Sequence, residues 1–210
     1  MRAGGSALGS WAVGGRRKVI LSFHLMKHIL AFSGSLRAGS YNQKLVKIAA
    51  AAAEAAGAKV TVISLKDYPM PLFDEDLETA EGKPEAAKRL RQLFLDHDAL
   101  LIASPEYNST ISAALKNAID WVSRADRPDE APLEALAGKT AAILAASPGG
   151  YGGSRGLAQL RPFLENIRIT VLGRQLTLPK AHEAFDDAGS LIDPTVLAEV
   201  EAIALALANA

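Results

Sequence analysis

"HILAFSGSLRAGSYN", His28 to Asn42, is the stretch on which the reading of the fold turns. Its first five residues are an apolar run that reads as a β-strand. The loop "GSLRAGSYN" follows, Gly34 to Asn42, with glycines, hydroxyls, an arginine and an asparagine. Then comes "NQKLVKIAAAAAEAAG", a run of strong helix formers closing on Gly57, a natural C-cap. Strand, polar glycine-containing loop and helix, in that order, open a parallel α/β sheet.

The same alternation continues along the chain. "AKVTVISL" is β-branched and reads as a second strand, and "DYPMPLFDEDLET" as a loop, with Pro69 and Pro71 breaking regular structure. "GKPEAAKRLRQLFLDH" is an amphipathic helix with Pro84 near its first turn. "DALLIAS" is a third strand, apolar throughout as a central parallel strand should be. "SAALKNAIDWVSRA" is the next helix, with Leu115, Ile119 and Val122 on one stripe. "KTAAILAAS" is a fourth strand, "SRGLAQLRPFLENI" a helix, "RITVLGRQLTLP" a fifth strand and "PTVLAEVEAIALALANA" a closing helix. Five strands alternating with five helices predict a doubly wound parallel sheet covered on both faces, a three-layer α/β/α domain. In such sheets ligands bind outside the carboxyl ends of the strands. The loops to read are therefore those after strands one, three and four: "GSLRAGSYN", "SPEYNST" and "SPGGYGGSR".

Composition narrows the chemistry. Lys+Arg and Asp+Glu balance at 23 each in 210 residues, so net charge does not favour a nucleic-acid or membrane-surface partner. The balance hides an asymmetry: no Asp or Glu precedes Glu54, so the half carrying the first loop is basic and suits an anionic ligand. With no cysteine there is no disulfide, thiolate metal site or dithiol centre, and any redox chemistry must come from a bound cofactor. His24, His28, His97 and His182 show no HxH or HExxH spacing, and no metal site is expected. No run approaches the roughly 20 apolar residues of a membrane-spanning helix, and the expected location is the cytoplasm. Residues 1–25 are glycine-rich and patternless until Val19, and the short apolar stretch after Arg16-Arg17 lacks an export cleavage site. They read as a disordered extension before a single domain, residues 26–210.

The first loop matches neither of the two best-known phosphate patterns. Leu36 stands where a dinucleotide fingerprint needs its second glycine, and Ser40 where a Walker A loop needs lysine. A terminal phosphate monoester fits better. Ser35, Ser40 and the Asn42 amide can donate hydrogen bonds, Arg37 a charge-assisted one, and the helix start offers free N–H groups. A Ser/Asn-rich helix cap with an incidental arginine accounts for the loop equally well. In the second loop, Pro105 holds the turn open for a planar heterocycle. Tyr107 there is a packing residue or an aromatic platform. The third loop has four glycines between Ser147 and Gly153, which permits close approach to a flat ring or simply makes a loose turn.

Taken together, "GSLRAGSYN", "SPEYNSTISAALKNAIDW" and "SPGGYGGSR", with "PMPLFDED" as a softer fourth motif, resemble the NADPH-dependent FMN reductases. This is the flavodoxin-like group that includes bacterial quinone and chromate reductases. The resemblance implies a five-stranded parallel sheet in the order 2-1-3-4-5. It implies an FMN phosphate among Ser35, Arg37, Ser40 and Asn42, with backbone help from Gln43. The flavin ring would be bracketed by Pro105, Glu106, Tyr107 and Asn108, and closed by Ser147, Gly149 and Gly150. Chemistry would reside at flavin N5, with no catalytic side chain: NADPH or NADH reduces the flavin, and a quinone or similar small acceptor takes two electrons from the same place. Relatives form dimers and tetramers, so a homodimer or homotetramer is implied; Tyr68, Phe73 and Trp121 are each candidates for its surface or, equally, for the core. Two positions depart from the family pattern: Ser112-Ala113 replaces a common Pro-Gly, and Ala146 replaces a serine found in some relatives. The rival readings are a flavodoxin-type electron carrier or FMN-binding module without NAD(P)H oxidase activity, and a regulatory or scaffold protein that keeps the fold but not the cofactor.

Overall fold

The computed structural model describes residues 26–210; the expectation for residues 1–25 lies outside the described residues. Strands β1 (His28–Ser33), β2 (Lys59–Ser64), β3 (Ala99–Ala103), β4 (Thr140–Ala146) and β5 (Thr170–Val171) form a parallel sheet in the order β2-β1-β3-β4-β5. This is the flavodoxin-like order. Every residue of β3 is buried, as its unbroken apolar run requires of a central strand, whereas the edge strand β2 is partly open.

Successive residues of a strand point to opposite faces, and that alternation makes two cores from one sheet. Ile29 and Ala31 of β1 and Leu101 of β3 pack beneath α1 (Tyr41–Ala55) and α6 (Pro194–Ala208). Their neighbours Leu30, Phe32, Leu100 and Ile102 pack beneath α3 (Glu85–Leu95), α4 (Ala113–Ser123) and α5 (Ser154–Asn166). Each fully buried Leu, Ile or Phe in these layers contributes about 1.5–3 kcal/mol of hydrophobic stabilisation. Ala49, Ala50 and Ala53 give α1 a buried face of small side chains on the same core as α6. Gly57, at φ +93°, ends the helix as expected, with Ala58 N–H donating to the Ala53 carbonyl and Gly57 N–H to that of Glu54.

Two elements differ from expectation. The segment read as loop contains a helix, α2 (Glu75–Glu81), capped by Asp74, whose Oδ1 accepts from the Asp76 and Leu77 N–H groups. Glu75, Asp76 and Glu78 in its first turn complement the helix dipole. The fifth strand is interrupted: β5 pairs with Thr140–Ala141 of β4, and a sixth strand, β6 (Leu176–Leu178), resumes along the same edge at Leu144–Ala146. Arg161 of α5 fills the break, donating to the Val171 and Leu172 carbonyls and to Gln175 Oε1. Backbone groups freed from the sheet thus regain partners.

Candidate active site

The loops after β1, β3 and β4 meet at a cavity of about 50 Å³. Ser35, Arg37, Ser40, Tyr41 and Asn42 line it from the first loop and the start of α1, Pro105, Glu106 and Tyr107 from the second, and Ala146, Ser147 and Pro148 from the third. Larger hollows exist, one of about 410 Å³ beside Lys44 and Lys47, but none of these three loops lines that one. The small cavity is where parallel-sheet topology places a ligand, and its walls are polar where it matters.

Each polar group there has a definable state. Ser40 caps α1, its Oγ accepting from Gln43 N–H at 3.2 Å, so the Gln43 amide serves the helix. The N–H groups of Tyr41 and Asn42, in the same first turn, have no partner among the described residues. Ser35 and Ser40 are buried, and the Arg37 guanidinium is exposed. The Asn42 side chain is committed elsewhere. Its Nδ2 donates to the Ala146 carbonyl at 2.8 Å and its Oδ1 accepts from Ala146 N–H at 2.9 Å, so the amide bolts α1 to the end of β4.

The second loop is a tight hairpin. Tyr107 and Thr110 exchange both backbone hydrogen bonds, at 3.0 and 3.1 Å, across Asn108 (φ 52°) and Ser109 (φ 66°). Two consecutive left-handed residues are the signature of a type I′ turn, and a serine there carries backbone strain of about 1–3 kcal/mol. Asn108 is exposed at the tip and does not line the cavity. The Glu106 carboxylate is buried and spoken for: Oε1 accepts from Arg155 and Oε2 from Gly156 N–H, each at 2.9 Å. Ser112 caps α4, accepting from Leu115 N–H, and donates to the Gly34 carbonyl at 2.5 Å, tying the first loop to that helix.

In the third loop the glycines divide by function. Gly149 and Gly150 are exposed and lie outside the cavity lining. Gly152 and Gly153 are the structurally required pair: both have positive φ, and a Cβ on Gly153 would sit 2.5 Å from that of Ala145. Of the twelve expected site residues, eight line the cavity; Gln43, Asn108, Gly149 and Gly150 flank it. Tyr41 is an additional lining residue, fixed by stacking on Phe185 at 6.0 Å between ring centroids. Trp121, open between subunit surface and core from sequence, is fully buried; its Nε1 donates to the Pro71 carbonyl at 2.9 Å and Phe73 packs edge-on against it.

The pattern of the NADPH-dependent FMN reductases matches residues 27–183. The chain belongs to that family. An NAD(P)H-dependent FMN reductase of Pseudomonas aeruginosa is 41% identical over 169 residues, covering 79% of this chain and 84% of its own. A probable NADPH:quinone oxidoreductase of Oryza sativa subsp. japonica is 37% identical over 184 residues, covering 85% and 86%. Among solved structures, the flavoenzyme NAD(P)H:(acceptor) oxidoreductase of Paracoccus denitrificans superposes with a TM-score of 0.71 at 29% identity, covering 85% of this chain and 96% of that one. Membership makes the chain an oxidoreductase of the FMN reductase type, and the site can be tested against the group the family is named for. Hydroxyls, free helix-start amides and an arginine are donors suited to a phosphate monoester, and the one carboxylate in the lining has both oxygens engaged. The donor set fits an FMN phosphate.

Proposed function

We propose that the chain is an FMN-dependent NAD(P)H oxidoreductase that delivers two electrons to a quinone or similar small acceptor. The observation that carries this reading is the donor-rich cavity at the junction of the three carboxyl-end loops. Ser35, Ser40, Arg37 and the Tyr41 and Asn42 amides would hold the phosphate. Pro105 to Asn108 and Ser147 to Gly150 would flank the ring. Bound FMN would supply two-electron chemistry at N5, reduced by NADPH or NADH and reoxidised by the acceptor. No side chain need act covalently, and Glu106, with both oxygens occupied, is a structural carboxylate. The same reading has a cytoplasmic enzyme; among the described residues no helix is long and apolar enough to cross a membrane. It also has a homodimer or homotetramer, supported by Leu36, Tyr107 and Tyr151, large apolar side chains exposed on the three loops.

The test is a visible spectrum of the purified protein after incubation with FMN and desalting, recorded without oxygen before and after NADPH. A retained flavin band that bleaches rapidly is expected. A band that stays yellow would favour the electron carrier, and no band would remove the cofactor. Light scattering on the same sample would remove the assembly claim if it returned a monomer.

A further inference from the structure

Helix α5 begins without a cap of its own: Gly153 precedes it and has no side chain to offer. Glu106, from the second loop, supplies one. Its Oε2 accepts from Gly156 N–H at 2.9 Å, placing a negative charge at the positive end of the helix dipole. Gly156 admits this approach, since a Cβ there would lie 3.1 Å from that of Glu106. On Oε1 of the same carboxylate, Nε and Nη2 of Arg155 converge, both at 2.9 Å. The guanidinium also lies over the Tyr151 ring in the third loop, 4.4 Å from its centroid. One arginine therefore touches two of the three loops that meet at the cavity, the second and the third.

An exposed ion pair is ordinarily worth little, because two mobile side chains must be ordered to form it. Here that cost is reduced on both sides. The Glu106 side chain is only 8% exposed and already fixed by Gly156, and the Tyr151 ring adds a cation–π surface on Arg155's other side.

We infer that Arg155 is a positioning residue: it locks the second loop to the third through Glu106 and Tyr151, and so sets the gap between Pro105–Asn108 and Ser147–Tyr151. Its consequence for FMN rests on the function proposed above; the lock itself does not.

Amide hydrogen exchange on the full-length protein without cofactor, with FMN titrations of the same preparations, tests both parts. Arg155→Ala is expected to speed exchange at the Tyr107 and Thr110 amides and at those of Gly152 and Ser154, all hydrogen-bonded within these loops, while α1 and α3 keep their protection. It is expected to raise the FMN dissociation constant about tenfold. Arg155→Lys keeps the charge but loses the planar two-nitrogen contact, and is expected to fall between Ala and wild type. Tyr151→Leu, which leaves the ion pair, is expected to loosen the third loop alone. Unchanged exchange at both loops in Arg155→Ala would overturn the lock. Faster exchange with undiminished FMN affinity would overturn the positioning role. Should the wild type take up no FMN, the cofactor reading has failed, and exchange alone decides the lock.

Discussion

Arg37 and Asn42 share one short loop, and the fold gives them opposite duties. The Arg37 guanidinium is exposed and makes no bond among the described residues, so it is free for an anion. Arg37→Ala is expected to weaken FMN binding by about 1.5 kcal/mol, the low end for a charged hydrogen bond because water competes at an open site. The unfolding midpoint without cofactor should not move, and the loss should shrink as salt is raised. Asn42 behaves in reverse. Asn42→Ala strands the Ala146 N–H and carbonyl in a buried place and is expected to cost about 2–4 kcal/mol in urea unfolding. A variant that lost only FMN affinity would restore Asn42 to the phosphate. From sequence, an asparagine in a phosphate loop offers a donor and nothing more can be said. Its partner lies 104 residues away, and no local pattern encodes that distance.

Local signals decide where helices start and stop, and the elements show both their reach and their limit. Ser112, in place of a common proline, caps α4 as serine does well, but it also donates to the Gly34 carbonyl. Ser112→Ala is therefore expected to cost about 1–2 kcal/mol, at or above the usual value for a lost cap, because a second bond goes with it; urea unfolding measures it. A cost of a few tenths would mean that water replaces both. The missed helix α2 had its signal in view: Asp74 followed by Glu75, Asp76 and Glu78 is an acidic helix start. The two prolines just upstream outweighed it. The interruption between β5 and β6 had no comparable signal. "RITVLGRQLTLP" reads as one strand, and the break holds because Arg161, on a neighbouring helix, supplies the hydrogen bonds that the missing ladder would have made.

At the scale of the whole molecule, an ion-pair cluster ties α3 to the chain beyond α4. Arg91, buried, pairs with Asp126 at 2.8 Å and Glu130 at 2.5 Å, and Lys83 reaches the same Asp126. Burial pushes the Asp126 carboxyl up, but Lys83 and Arg91 together outweigh it and hold it below the usual carboxylate value. A carboxyl lowered by folding contributes stability that is whole above its unfolded value, near 4, and is lost as pH falls through the lower folded one. The urea midpoint of the wild type should thus drop more steeply below about pH 4 than that of Asp126→Asn. Parallel curves would show that the cluster is electrostatically neutral in sum. By itself, the sequence determined the alternation of strands and helices, the doubly wound class and the three loops at the carboxyl ends, because apolar period and capping chemistry act over a few residues. The tertiary structure alone decided which polar atoms stay free in those loops. Asn42, Glu106 and Ser112 spend theirs on partners far along the chain, and Trp121 turns inward to Pro71. The physical reason is that hydrogen bonds are allotted by proximity in space, which strand order creates and sequence spacing does not record.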